Sequence, residues 1–199
     1  MRGRRGLTVI ELLVASGMFL MLTAVLFAVF RVGANSWLKG DAQSEIISKL
    51  QVVTEKLELE VTRASSASLS ISPDAKALAF LTANDTDGRF HYDPVEKSAL
   101  WQRYLVFHYS ESSQNLLMDE VGVVGTAQEK TPIPIEDFEG RNMSDYFGSG
   151  KIVERELSGC EFEMLSQQLV RVTLSARKKR YGRTDEETFQ TETVLQLRN

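Results

Sequence analysis

The first clear pattern along the chain is an apolar run near its start. From Leu12 to Phe30 there are nineteen residues without a formal charge, about the length that a helix needs to cross the hydrocarbon core of a bilayer. The apolar character begins at Leu7, so the carboxylate of Glu11 lies inside the start of the run. A charged side chain is costly in a bilayer and is usually paired or functional there. The run predicts a membrane-spanning helix, but this prediction does not explain why a charged residue, Glu11, lies within it.

Beyond the apolar run, hydrophobic residues recur every three or four positions, with charged residues between them. This spacing predicts an amphipathic helix, and we expect one continuous helix from about Thr8 to Ala64. Gly33 and Gly40 are the expected place for a bend, because glycine weakens a helix interior. The periodic positions are Ile46, Leu50, Val53, Leu57, Val61 and Ala64.

After residue 65 the hydrophobic period changes to two, which is typical of strands. Turn signals separate the strands, and a long irregular stretch runs from Gly125 to Gly150. A helix that covers the apolar face of an antiparallel sheet gives the fold class α+β. The predicted strands are 76–84, 100–110, 115–123, 159–165, 169–176 and 188–199. Four sets of residues are predicted to share one face of a strand, the second of them facing inward: Trp101, Leu105, Phe107 and Tyr109; Cys160, Phe162 and Met164; Val170, Val172 and Leu174; and Phe189, Leu195 and Leu197.

Composition and charge exclude some of the structures and functions that this chain could have. The 43% of hydrophobic residues can form a packed core, and a single cysteine, Cys160, excludes an intramolecular disulfide. The net charge of −4 becomes −7 without residues 1–6, which hold Arg2, Arg4 and Arg5. This balance argues against nonspecific binding of nucleic acid.

Three interpretations of the N-terminus compete. A secretory signal peptide has a shorter apolar stretch followed by a small-residue cleavage site, whereas here Arg31 follows the run directly. A plain signal anchor fits the length and the basic flank, which by the positive-inside rule keeps the N-terminus cytoplasmic, but it leaves Glu11 unexplained. The third interpretation places a cleavage site between Gly6 and Leu7, so that Glu11 becomes the fifth residue of the mature chain.

The residues "RRGLTVIELLVA" support the third interpretation. They resemble the class III signal of type IV prepilins and type II secretion pseudopilins: a basic leader, Gly6, cleavage, an apolar residue, Thr8, two apolar residues and Glu11. The family most often has phenylalanine where this chain has Leu7. The resemblance implies a leader over 1–6 that a prepilin peptidase removes, with Arg2, Arg4 and Arg5 on the cytoplasmic side. It also implies N-methylation of Leu7, a membrane and assembly half of the helix over 7–30, an amphipathic half over 31–64 and an extracytoplasmic β-rich head over 65–199.

The resemblance also implies a role for Glu11. Cleavage creates a positive α-amino group on Leu7, and Glu11 of an incoming subunit can pair with the N-terminus of a neighbour, so that neither charge is left alone in lipid. The alternative is a glutamate that reaches the headgroups from the first helical turn, aided by the positive end of the helix. Both can apply to the same residue.

The rest of the chain resembles a minor subunit more weakly. A "Leu-x-Phe" strand after the helix, a "Trp-x-x-Tyr" strand and the ending "TETVLQLRN" are similar to type II secretion protein J and its PilW-like pilus counterparts. This resemblance implies a minor pilin or pseudopilin at or near the filament tip, anchored in the bacterial inner membrane with its head in the periplasm or on the cell surface. Its partners would be the prepilin peptidase, other minor and major subunits and the inner-membrane assembly platform. The alternative function is a signal-anchored, monomeric extracytoplasmic binding domain.

Other candidate sites have simpler structural interpretations. Asp85 and Asp87 in "NDTDG" resemble half of a calcium loop, but the downstream glutamate is missing and Asp-Gly is a good hairpin turn. The basic stretch 176–183 could bind DNA or be a solvated hairpin tip. The two histidines, His91 and His108, have no nucleophile or metal-ligand pattern around them, so we expect neither an enzyme nor a cofactor.

Overall fold

The computed structural model describes residues 8–148, 150–179 and 186–197. In these residues the fold is α+β: one long N-terminal helix followed by antiparallel strands. The helix is α1 (Val9–Val61). The strands are β1 (Ser70–Ile71), β2 (Ala77–Thr82), β3 (Tyr92–Asp93), β4 (Ser98–Ala99), β5 (Arg103–Ser110), β6 (Asn115–Gly122), β7 (Lys151–Glu154), β8 (Leu157–Ser166), β9 (Leu169–Lys179) and β10 (Glu186–Gln196). The 3₁₀ turns are Ser66–Ser68, Ala127–Glu129, Ile135–Asp137 and Met143–Tyr146.

Helix α1 confirms the predicted continuous helix, and all of its buried positions lie in its C-terminal half. It passes through Gly33 and Gly40 as uninterrupted α-helix. Ala42 is the first of its residues to be buried, and from there the buried positions follow the predicted stripe to the helix end. Burial of this stripe in the head, rather than helix propensity alone, stabilises the C-terminal half of α1.

The strands confirm the predicted elements but form more than one sheet. β1, β2, β5, β6 and β7 form a five-stranded sheet in the spatial order β1-β2-β5-β6-β7. β10, β9 and β8 form a three-stranded sheet, and β3 pairs with β4. Backbone hydrogen bonds from Phe162 N to Ala75 O, 2.7 Å, and from Leu157 N to Gln114 O, 2.9 Å, connect the two larger sheets.

The main core lies between α1 and the two larger sheets. Leu57 of α1, Phe80 of β2, Phe107 of β5 and Phe162 of β8 are all buried in it. The rings of Phe80 and Phe107 stack with their centroids 6.0 Å apart. The C-terminal half of α1 is therefore an integral part of the head.

A second core covers the opposite face of the five-stranded sheet, which explains why every residue of β2 is buried. The irregular segment after β6 supplies Ile135, Phe138 and Met143 to this core. Tyr104 of β5 packs on Phe138 and donates its hydroxyl proton to the carbonyl oxygen of Ile133, 2.8 Å away. The described part of the stretch from Gly125 to Gly150, expected as irregular, thus adds a packed layer to the head.

Two residues of the predicted sets, Trp101 and Met164, were placed wrongly. Trp101 lies before β5, so the alternation of that strand does not extend to it, and it packs in the second core, on the side opposite Phe107. Met164 is 45% exposed, because a bulge follows it where β8 ends. Phe189 shares a face of the edge strand β10 with Leu195, as predicted, but it is 38% exposed, in a groove that Leu50 also lines.

A substitution pair on α1 tests whether this helix is part of the head. Leu57→Ala is expected to lower the free energy of unfolding by about 2–5 kcal/mol, because it leaves a cavity in the main core. Leu59→Ala, two residues further on and 51% exposed, is expected to change it by less than about 0.5 kcal/mol. Denaturant unfolding of the detergent-solubilised full chain gives both values. Equal effects of the two substitutions would contradict the packing described here.

Candidate functional site

Glu11 forms a capping box with Thr8 at the start of α1. The backbone N–H of Thr8 donates to Glu11 Oε2 at 2.8 Å, and the hydroxyl of Thr8 donates to the same oxygen at 3.0 Å. In return, the backbone N–H of Glu11 donates to the hydroxyl oxygen of Thr8 at 3.3 Å. This pairing satisfies two of the backbone donors that a helix N-terminus leaves free. Its signal is the pattern Thr-x-x-Glu, which the sequence-based reasoning overlooked.

The capping box leaves the Glu11 carboxylate with part of its capacity to accept hydrogen bonds. Both bonds from Thr8 end on Oε2, and no described residue donates to Oε1. The carboxylate also lies in the first helical turn, where the aligned peptide dipoles favour a negative charge. The local structure therefore holds the carboxylate in place and leaves one of its oxygens for a donor from another molecule.

Helix α1 carries a large apolar surface beyond Glu11. All large apolar side chains from Val9 to Val32 are more than half exposed. By length and composition, α1 is the helix in the described part of the chain that could cross a membrane. An apolar surface of this extent on a folded chain marks contact with lipid or with other proteins. Trp37, further along the helix, is 79% exposed, as an aromatic residue at the membrane interface would be.

The residues of the predicted cleavage site and leader, Gly6, Leu7, Arg2, Arg4 and Arg5, lie outside the described residues. The described part of the motif begins at Thr8 and contains Glu11. The structure thus brings together the two polar residues of the motif, at the point where the exposed helix begins.

The candidate metal ligands Asp85 and Asp87 lie in a tight turn. Asp85 Oδ1 accepts hydrogen bonds from the backbone N–H groups of Asp87 and Arg89, both at 2.9 Å. Asp85 Oδ2 lies 2.9 Å from His91 Nε2. The hydrogen bond from His91, followed by that from Arg89, lowers the pKa of Asp85. Within the described residues no group of three or more His, Cys, Asp or Glu side chains is arranged for a metal ion, and both oxygens of Asp85 serve the turn.

The described part of the basic stretch 176–183 is paired with carboxylates. Lys178 forms an ion pair with Glu45 of α1. Arg177 and Lys179 lie 3.9 and 4.0 Å from the carboxylate of Glu186. Carboxylates so close to the basic groups reduce the positive potential that a nucleic acid would need.

Cys160 is buried between core residues of β8. Burial raises the pKa of its thiol, which keeps it protonated and unreactive near neutral pH. It packs as a small apolar side chain, as its alternation with Phe162 predicted.

No protein-family model matches this chain, and no curated protein or solved structure matches it either. The resemblance of its N-terminus to prepilins therefore depends on the residues of the motif and on the helix that follows them.

Proposed function

We propose that this chain is a minor pilin or pseudopilin, matured by a prepilin peptidase and added at or near the tip of a type IV pilus or a type II secretion pseudopilus. The observation that carries the proposal is the position of the motif. Gly6, Leu7 and Thr8 stand directly before a helix, and Glu11 lies in its first turn. The first half of this helix is exposed and apolar, and its second half is part of the head. A subunit of this shape can stay in the membrane through its helix and then pack the same helix against those of other subunits.

The charges flanking the helix support the proposed orientation. Arg2, Arg4 and Arg5 precede the apolar run, and basic residues favour the cytoplasmic side. The head then lies on the far side of the bacterial inner membrane, in the periplasm or on the cell surface. Its partners would be the inner-membrane assembly platform and the other minor and major subunits.

The size and position of the head support a minor subunit rather than a major one. The head spans most of the chain after residue 64, and two cores on opposite faces of one sheet hold it together. Major pilins are usually shorter and more compact, so a tip or priming position fits this chain better.

The capping box favours a second candidate function. Because Thr8 alone gives the Glu11 carboxylate two donors, the glutamate has a structural role without any partner subunit. A signal-anchored, monomeric extracytoplasmic binding domain would need no more than that.

The mature N-terminus separates the two functions. The chain is co-expressed with a prepilin peptidase, extracted from membranes, and the mass of its N-terminal peptide is measured. The pilin-like function predicts a chain that begins at N-methylated Leu7. A chain that keeps its first six residues in the presence of active peptidase would leave the signal-anchored domain as the function.

A further inference from the structure

His108 is a buried histidine on the face of β5 that carries the second core. It is 7% exposed, and Tyr104 and Val106 of the same strand belong to that core. Its ring stacks on Phe147 with a centroid distance of 4.4 Å and an interplanar angle of 8°. Phe147 follows the 3₁₀ turn Met143–Tyr146 and is itself 38% exposed. We call residues 143–148 the closing segment, because it separates the imidazole from solvent.

The closing segment is also attached to β6 through Asp119. The backbone N–H of Gly148 donates to Asp119 Oδ2 at 3.1 Å. His108 Nδ1 lies 3.3 Å from the same oxygen. The two atoms are not aligned for a hydrogen bond, so Nδ1 is buried without a hydrogen-bond partner. The fit beside Asp119 is tight: a Cβ on Gly150 would lie 2.5 Å from the carbonyl oxygen of Met118 and 2.7 Å from Asp119 Cγ. The Gly148 amide and the His108 ring therefore both lie beside one carboxylate oxygen, Asp119 Oδ2.

The electrostatic surroundings favour neutral His108. Burial lowers the pKa of the imidazole, and the nearby carboxylate of Asp119 raises it by a smaller amount. Among the described residues, Asp119 is the charged group that acts on His108. An imidazolium here would lack water on most of its surface, because His108 is 7% exposed and its ring is stacked on Phe147.

We propose that the closing segment is an acid-sensitive latch, held shut over neutral His108 and released when His108 takes up a proton. Because the closed state binds the proton more weakly than the open state, a fall in pH favours opening. The effect begins as the pH falls through the ordinary histidine pKa of about 6.5. The opening equilibrium continues to shift until the pH reaches the lower His108 pKa of the closed state. Above a pH of about 6.5, His108 is neutral in both states, so the equilibrium does not depend on pH. Release would expose Phe147 and the imidazole on the outer surface of the head.

Hydrogen exchange of the Gly148 amide measures the latch directly. The full chain in detergent is exchanged between pH 7.5 and 5.0, and the rates are corrected for intrinsic exchange. The protection of this amide is expected to be constant above about pH 6.5 and to fall by up to about tenfold per pH unit below it. Amides of the β9–β10 pairing serve as an internal reference and are expected not to change. Constant protection across the whole range would overturn the proposal.

Two substitutions identify the titrating group. His108→Gln removes the titration and is expected to give a protection that no longer depends on pH. His91→Gln removes the other histidine of the sequence, which pairs with Asp85 in the exposed turn, and is expected to keep the wild-type dependence. If His108→Gln keeps the dependence, or if His91→Gln abolishes it, the assignment to His108 is wrong.

A titration of the unmodified protein covers the case in which His108→Gln does not fold. The chain is labelled with ¹³C in its two imidazoles, and their resonances are followed by NMR. The His108 resonance is expected to titrate below the ordinary histidine range. An ordinary or raised value would remove the basis of the latch.

Discussion

Glu11→Leu is expected to give a chain that is inserted in the membrane and processed but is not recovered with its partner subunits. Insertion is expected to be at least as efficient as in the wild type, because an apolar residue replaces a charged one in the span. Processing is expected to continue, since the cleavage site lies upstream of residue 11. Assembly is expected to fail, because the new amino group of the neighbouring subunit would have no counter-charge in a medium of low dielectric constant. Co-purification with partner subunits from detergent-solubilised membranes measures the result.

Two further variants separate the charge of Glu11 from its capping role. Glu11→Gln keeps an oxygen that can accept the hydrogen bond from the Thr8 backbone N–H but removes the charge. Thr8→Val removes the hydroxyl that bonds to Glu11 Oε2 but keeps the carboxylate. If assembly needs the charge, Glu11→Gln is lost from the complex and Thr8→Val is retained. Recovery of Glu11→Gln at the wild-type level would assign the residue to the capping box and remove its assembly role.

Gly6→Val is expected to abolish processing, so that only the full-length precursor accumulates. A β-branched side chain next to the scissile bond would hinder the close backbone approach that a glycine allows. Gel mobility in cells that express a prepilin peptidase provides the measurement.

Gly17→Val is the matched control for this prediction. Gly17 lies in the exposed part of α1, where an added Cβ meets no atom within 4 Å. Processing of this variant is expected at the wild-type rate. If Gly6→Val is also processed at that rate, the main support for the prepilin assignment is lost.

Local patterns were sufficient to predict the helix and the six longer strands, but not the short strands β1, β3, β4 and β7. The apolar stripe from Ile46 to Val61 has a period set by the helix itself, and each of its predicted positions is buried. β5 and β6 were predicted within a few residues of their observed ends for the same reason, because alternation within a strand is a local property. The capping box is encoded just as locally, in Thr8 and Glu11, and the pattern Thr-x-x-Glu is the signal that predicts it.

The candidate site was predictable only in part. The motif indicated Glu11, and the described residues place it at the start of the exposed helix. The latch at His108 gave no such signal, because it joins Asp119 to residues 147 and 148 across more than twenty-five positions of sequence. The alternating pattern around a single histidine does not show which distant segment will pack over its side chain.

The sequence by itself determined the apolar span, the amphipathic continuation of α1, the α+β class and the motif from Gly6 to Glu11. Each depends on spacings of a few residues, which covalent geometry converts directly into faces of a helix or strand. Tertiary structure decided which strands pair, how they divide into sheets, and that Ile135 and Phe138 close a second core over β5. It also decided the side on which Trp101 packs and the enclosure of His108. These features depend on contacts between segments that are distant in sequence, and the packing of the whole head decides which segments meet. The periodicity of one segment shows only that it has an apolar face to bury.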